Sequence, residues 1–187
     1  VSAALPSLSR DVVTAEVRRG TMRLLADLAL APLAEVPLVT GRRLDLLALA
    51  ADGTFWAVEI KSSPADLRAD SKWPDYLPWA DRFFFAVPPD FPIDLLPAGE
   101  GVLVADRFEA SILREGPVRP LPPARRRALL LRFARLAAAR AHGLEDPRPR
   151  AAAARRPGSA LQQPFVDQEA GDAVGVGQPY RPVGFVE

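Results

Sequence analysis

Residues 43–61 read RLDLLALAADGTFWAVEIK, from Arg43 to Lys61. Two strand-length apolar runs, 43–50 and 54–61, flank Ala51-Asp52-Gly53, the signature of a β-hairpin. Strand side chains alternate between faces, so Glu59 and Lys61 leave one face while Ile60 leaves the other. Trp56, Val58 and Ile60 mark the second strand as central. A carboxylate and an ammonium two residues apart on a central strand therefore call for a reason. Loop length decides where the preceding strand puts Asp45. A two-residue loop, Asp52-Gly53, sets Asp45 against Ile60 and separates the two carboxylates onto opposite faces. A three-residue loop pairs Ala50 with Thr54 and Asp45 with Glu59. That loop ends in a residue at positive φ, where Gly53 stands, and it is the preferred reading.

In that register the Asp45 and Glu59 Cβ atoms lie roughly 5 Å apart. Two carboxylates so close in an apolar sheet cannot both stay charged unaided. A hard divalent cation, Mg²⁺ or Mn²⁺, resolves the conflict, because such ions take one or two carboxylates plus substrate phosphate. Lys61, on the same face, is placed to orient an attacking water, to help deprotonate it, or to neutralise charge on a pentacovalent phosphorus. The set suits phosphodiester hydrolysis.

Working outward, residues 9–30 read as an amphipathic helix with Val13, Val17, Leu24 and Leu28 on one side, Ser9 as N-cap and Pro32 at the exit. Residues 33–39 form a short strand, with Pro37 pointing to an edge or a bulge. Ser63-Pro64, with Asp66, opens a capped helix, and SKWPDYLPWA (71–80) continues as a second short helix with Ser71 as its cap. RFFFAV (82–87) is a buried strand; GVLVAD and ASILRE form a further pair near the sheet edge. A long helix, 124–142, carries Leu129, Leu130, Phe133, Leu136 and Ala137 on its apolar side. The expected class is α/β, a central mixed β-sheet in the order α-β-β-β-α-β flanked by helices. One domain over 1–146 and a disordered tail over 147–187 complete the expected organisation.

Composition adds less. Net charge is +1 and there is no cysteine, so neither a disulfide framework nor thiolate chemistry is available. No apolar run reaches membrane-spanning length and the N-terminus lacks a secretion pattern, which makes a cytoplasmic protein the default. Of the 24 basic residues only Lys61 and Lys72 are lysine. A GC-rich genome explains scarce lysine in general; a need for an ammonium rather than a guanidinium explains the survival of Lys61.

Asp45, thirteen intervening residues, then Glu59-Ile60-Lys61 resembles the motif of the PD-(D/E)xK nuclease superfamily, with Leu44 in place of its proline. Residues 10–143, and GRRLDLLALAADGTFWAVEIKSSPADLRADSKWPDYLPWADRFFFAVP above all, are similar to the MmcB-type bacterial DNA-repair family. The resemblance implies a restriction-endonuclease-like core and a metal-dependent DNA endonuclease. It implies Asp45 and Glu59 as metal ligands, the Ile60 carbonyl as a further one, and Lys61 as the motif lysine. It also implies an acid from the first helix, for which Glu16 is the best candidate and Glu35 of the first strand a weaker one. Lys72 corresponds to a Lys or Gln on the helix after the motif, with Tyr76 one turn on. DNA is the implied partner, and many nucleases of this fold act as homodimers.

Blander readings stand beside these. Glu59 and Lys61 can be an exposed ion pair, Asp45 a turn cap, Glu16 a solvated helix residue and Lys72 a surface lysine lying along Trp73 or Tyr76. Trp73, Tyr76 and Trp79 read first as packing residues, with base stacking as the functional alternative. The ten arginines of 125–156 form either a solvated face or a phosphate-contacting patch. A non-cleaving nucleic-acid-binding module of the same fold is the rival function.

Overall fold

The computed structural model describes residues 9–146. Its elements run α1 (Arg10–Asp27), β1 (Ala31–Pro37), β2 (Arg43–Leu49), β3 (Phe55–Ile60), α2 (Pro64–Ala69), a 3-10 helix (Trp73–Trp79), β4 (Arg82–Val87), a short 3-10 turn (Ile93–Leu95), β5 (Gly101–Ala105), β6 (Ala110–Arg114) and α3 (Pro123–Glu145). The expected tail over 147–187 lies outside the described residues.

The hairpin closes with the three-residue loop. Ala50 N–H donates to the Thr54 carbonyl at 2.9 Å, and Gly53 sits at φ +83°. Leu46 pairs with Val58 and Leu49 with Phe55, and the same register carried one residue past the paired ladder sets Asp45 beside Glu59. All six strands form one sheet in sequence order. β1 to β3 are antiparallel, β3 to β5 parallel, and β6 returns antiparallel at the far edge. The mixed sheet flanked by helices is thus the one expected from sequence.

Both sheet faces are covered, which is why Phe83, Phe84 and Phe85 are all buried in succession. Phe84 joins Val17 and Leu25 of α1, Leu46, Val58 and Ile60 in one core layer. Phe83 and Phe85 join Leu47, Ala57, Tyr76, Leu129 and Phe133 in the other. Glu59 has the parity of Ala57, so the site belongs to the layer under the 3-10 helix and α3.

Several boundaries differ from the sequence reading. α1 stops at Asp27 rather than residue 30, because Ala29 adopts φ 58°. Leu30 N–H then reaches the Leu25 carbonyl and Ala29 N–H the Ala26 carbonyl, both at 2.9 Å, a Schellman ending without the usual glycine. Ala29→Gly should therefore raise stability by about 1 kcal/mol, read as an increased urea midpoint at unchanged slope. Pro32 lies inside β1, not at a helix exit. β1 is the sheet's edge strand, where a missing N–H can face solvent. Ser9 occupies the N-cap position of α1 without a side-chain bond. Residues 73–79 form a 3-10 helix, with Lys72 and not Ser71 at its cap position. Pro78 lacks the N–H that an α-helix would bond to the Pro74 carbonyl, whereas Pro74 in the first turn removes none that the helix needs.

Of the ten arginines of 125–156, Arg148, Arg150, Arg155 and Arg156 lie outside the described residues, Arg127 and Arg135 of α3 are exposed, and the other four of α3 are bonded within the fold. Arg125 donates to the Pro78 carbonyl at 3.1 Å, Arg126 to Gly53 at 2.6 Å, Arg132 to Pro37 at 2.9 Å and Arg140 to Glu35 at 2.9 Å. Arg140 also bonds the Ala34 carbonyl. These four guanidinium groups tie the helix to backbone elsewhere in the fold. Glu35 itself takes φ 51° within β1, and its carboxylate pairs with Arg43 at 2.5 Å and Arg18 at 3.5 Å.

Candidate functional site

The site lies where β3 ends. Asp45 Oδ2 accepts the Ile60 N–H at 2.9 Å, so the carboxylate takes over at the end of the β2–β3 ladder. Lys61 N–H continues along β4 by donating to the Ala86 carbonyl at 2.9 Å. This keeps the chain extended for one residue beyond β3 and returns the Lys61 side chain to the face of Glu59. Both are buried: Glu59 is 7% exposed and Lys61 3%. The exposed ion pair is thereby excluded.

The Lys61 ammonium has two carboxylate partners. It donates to Glu59 Oε1 at 3.1 Å and to Asp70 Oδ2 at 2.6 Å. Asp70 is delivered by α2. Ser63 Oγ caps that helix by accepting the Asp66 N–H at 3.2 Å, with Pro64 in the first turn. Asp66 in turn accepts the Ser62 N–H at 3.1 Å. Six helical residues then bring Asp70 back over Lys61, where its other oxygen accepts the Lys72 N–H at 2.8 Å.

These groups line an open cavity of about 340 Å³, together with Arg10 and Thr14 of α1, Asp66, Lys72 and Tyr76. Asp45, Glu59, Ile60, Lys61 and Lys72, all anticipated from sequence, thus share one cavity. Glu16 does not line it; α1 turns Arg10 and Thr14 there instead. Glu35 is likewise absent from the lining and held by its two arginines. Tyr76 is anchored by donating its hydroxyl to the Arg43 carbonyl at 3.2 Å.

The electrostatics follow from burial and neighbours. Burial, reinforced by the Asp45 carboxylate, pushes the Glu59 carboxyl up to about 8. Burial also raises Asp45, against the Ile60 N–H that lowers it. At Lys61 burial works against the ammonium, but Glu59 and Asp70 more than offset it and the group is shifted upward. Asp70 is lowered: burial opposes this, and the Lys61 and Lys72 hydrogen bonds prevail. Asp70 is therefore the steady counter-anion of Lys61, while Glu59 is the carboxyl that holds a proton most readily.

Glu59 Oε2 is buried with no hydrogen-bond partner. An orphaned carboxylate oxygen beside a second carboxylate fits a small hard cation, which needs oxygen ligands and takes one or two acids. Among the described residues no group of three or more His, Cys, Asp or Glu side chains is arranged to hold a metal ion. The donor set is thus the Asp45–Glu59 pair, with Ile60 in the same lining.

A family model described as MmcB-like, DNA repair protein MmcB-like, matches residues 3–148. The chain belongs to the MmcB-like DNA repair protein family. That membership links this MmcB-like protein to DNA repair. It is similar, at 42% identity and a TM-score of 0.70, to a solved protein of unknown function from Silicibacter pomeroyi, over 76% of this chain and 95% of that one. No curated protein matches. No helix among the described residues of the MmcB-like chain is long and apolar enough to cross a membrane.

The residue that sequence reading missed is Asp70. Nothing local separates it from any acid at a helix end; only the need of a buried ammonium for a firm counter-ion points to it. Glu59 gives a test of the local strain. Its folded-state value near 8 exceeds the ordinary 4.5. The folded protein therefore holds this proton more tightly, which favours folding fully below pH 4.5 and is lost as pH rises through about 8. Glu59→Gln should raise the melting temperature of metal-free protein by several degrees above pH 8 and change it little below pH 4.5.

Proposed function

We propose that this MmcB-like protein is a metal-dependent phosphodiesterase that cleaves DNA during repair, on a PD-(D/E)xK, restriction-endonuclease-like core. The observation that carries this reading is the orphaned Glu59 Oε2 beside Asp45, in one cavity with a charged Lys61. Asp45 and Glu59, with the Ile60 carbonyl, would hold Mg²⁺ or Mn²⁺, which supplies Lewis-acid polarisation of a phosphoryl oxygen.

The chain's own groups do the rest. Lys61, kept charged by Asp70, donates hydrogen bonds to phosphate oxygens as negative charge grows on them. An ammonium so anchored is a poor proton acceptor, which favours charge neutralisation among its three readings. Glu59 would hold a cation only as the carboxylate, so cation affinity would rise with pH towards about 8. Lys72, exposed at the mouth of the cavity, meets the incoming backbone before Lys61 does.

Incubation of the full chain with a panel of single-stranded, duplex and branched DNAs tests the reading. Cleavage is expected with Mn²⁺ or Mg²⁺ and not with EDTA. DNA binding that persists in EDTA with no cleavage under any metal would leave the non-cleaving module instead.

A further inference from the structure

A second cavity, about 680 Å³, adjoins the first, and Lys72 and Tyr76 line both. It sits beside the 3-10 helix. Its walls carry Arg42, Lys72 and Arg125 as cations and Asp75 as the one carboxylate. Asp75 is already engaged by Arg42 at 2.6 Å. The Arg125 guanidinium lies over the Trp79 ring, 5.3 Å from its centroid, and is held there by the Pro78 carbonyl at 3.1 Å. Trp79 is only partly buried. The guanidinium and indole therefore make a flat, cationic stack open to the cavity, a surface on which an unpaired base can lie.

Three features favour a single strand over a duplex. The stack can meet only a base that is not already stacked between neighbours. The volume lies within the range of about 300–1,000 Å³ of small-ligand clefts, room for a nucleotide and not for a double helix. Lys61 is recessed at 3% exposure, which a flexible strand reaches and a rigid duplex does not.

We infer that the cavity lined by Arg42, Lys72, Trp79 and Arg125 is a binding subsite for a nucleotide of single-stranded nucleic acid flanking the bond presented to Lys61. A base stacks on the Trp79–Arg125 face, and Lys72 and Arg42 meet the adjoining phosphates. The inference rests on the reading of the neighbouring cavity as a DNA site, and it defines the substrate of that site as unpaired strand.

Fluorescence anisotropy in EDTA, where no cleavage occurs, tests it on the full chain. The probes are a labelled short oligothymidylate and a blunt hairpin duplex of equal length. The wild type should bind the oligothymidylate about tenfold or more tighter than the duplex. Trp79→Ala should weaken oligothymidylate binding about tenfold, the worth of one stacked base. Trp79→Phe, which keeps a stacking face, should retain most of the affinity. Arg125→Glu, at a partly exposed position, covers the case that Trp79→Ala fails to fold, and should weaken binding at least as much. Equal affinity for both probes, or full affinity in folded Arg125→Glu protein, overturns the subsite. Absent cleavage under every metal with Trp79-dependent binding intact overturns the nuclease reading alone.

Discussion

Lys61→Met should reduce metal-dependent DNA cleavage by about 10²–10³-fold, the typical loss when one charge-stabilising donor is removed from an active site. Methionine keeps most of the aliphatic stem, so packing beside Glu59 and Asp70 survives while the ammonium is lost. Lys61→Arg should fail nearly as badly. The buried ammonium is held at 3.1 Å and 2.6 Å by two carboxylates at the floor of the cavity, and a planar guanidinium cannot take that position. Circular dichroism on each variant separates loss of chemistry from loss of fold. Undiminished cleavage by folded Lys61→Met protein would remove Lys61 from the mechanism. Asp70→Asn offers the complement. It should lower activity less than Lys61→Met and narrow the active pH range on its alkaline side, because Lys61 then loses its proton more easily.

The largest effect on stability should come from Asp81→Ala, about 3–5 kcal/mol. Asp81 is 2% exposed and joins four donors. One oxygen accepts the Phe55 N–H at 2.7 Å and Arg126 at 2.9 Å. The other accepts the Leu121 N–H at 2.9 Å and Arg126 at 2.6 Å. Alanine strands two buried N–H groups and half-frees a guanidinium. Urea denaturation at neutral pH should show the loss as a lower midpoint. The carboxyl is lowered below its ordinary 3.8: burial opposes this, and Arg126 and the two N–H groups prevail. Its contribution is thus present above pH 3.8 and lost as pH falls through the folded value, so the gap between wild type and variant should shrink in acid. A gap that stays constant into acid would mean that Asp81 acts through packing, not through its charge.

The hairpin was legible because one glycine made one loop length fit. Gly53 at φ +83° set the register, and the register set Asp45 beside Glu59. The Phe83–Phe85 run was equally plain, since consecutive apolar residues at strand length describe a sheet covered on both sides. What failed had no local signature. Ala29 takes a conformation that favours glycine, so the end of α1 was misplaced. Glu16 looked suitable because it lies on the first helix, yet helix phase turns Arg10 and Thr14 towards the cavity. Asp70 was invisible for the opposite reason: its role comes from a tertiary contact with Lys61, nine residues back, created only when α2 folds over the strand end.

The backbone bonds of Arg125, Arg126, Arg132 and Arg140 carry a consequence for ionic strength. Dissolved salt screens charge acting over a distance, but it competes weakly with a short, directed bond from a guanidinium to a carbonyl. α3 should therefore stay docked at salt concentrations that strip a polyanion from the surface, because these four arginines bond carbonyl dipoles of the fold itself. One of them, Arg126, closes on Gly53 at 2.6 Å, within the turn that sets the Asp45–Glu59 register. A salt titration of DNA binding would then report the ligand contacts alone, with the alignment of the two carboxylates unchanged beneath it.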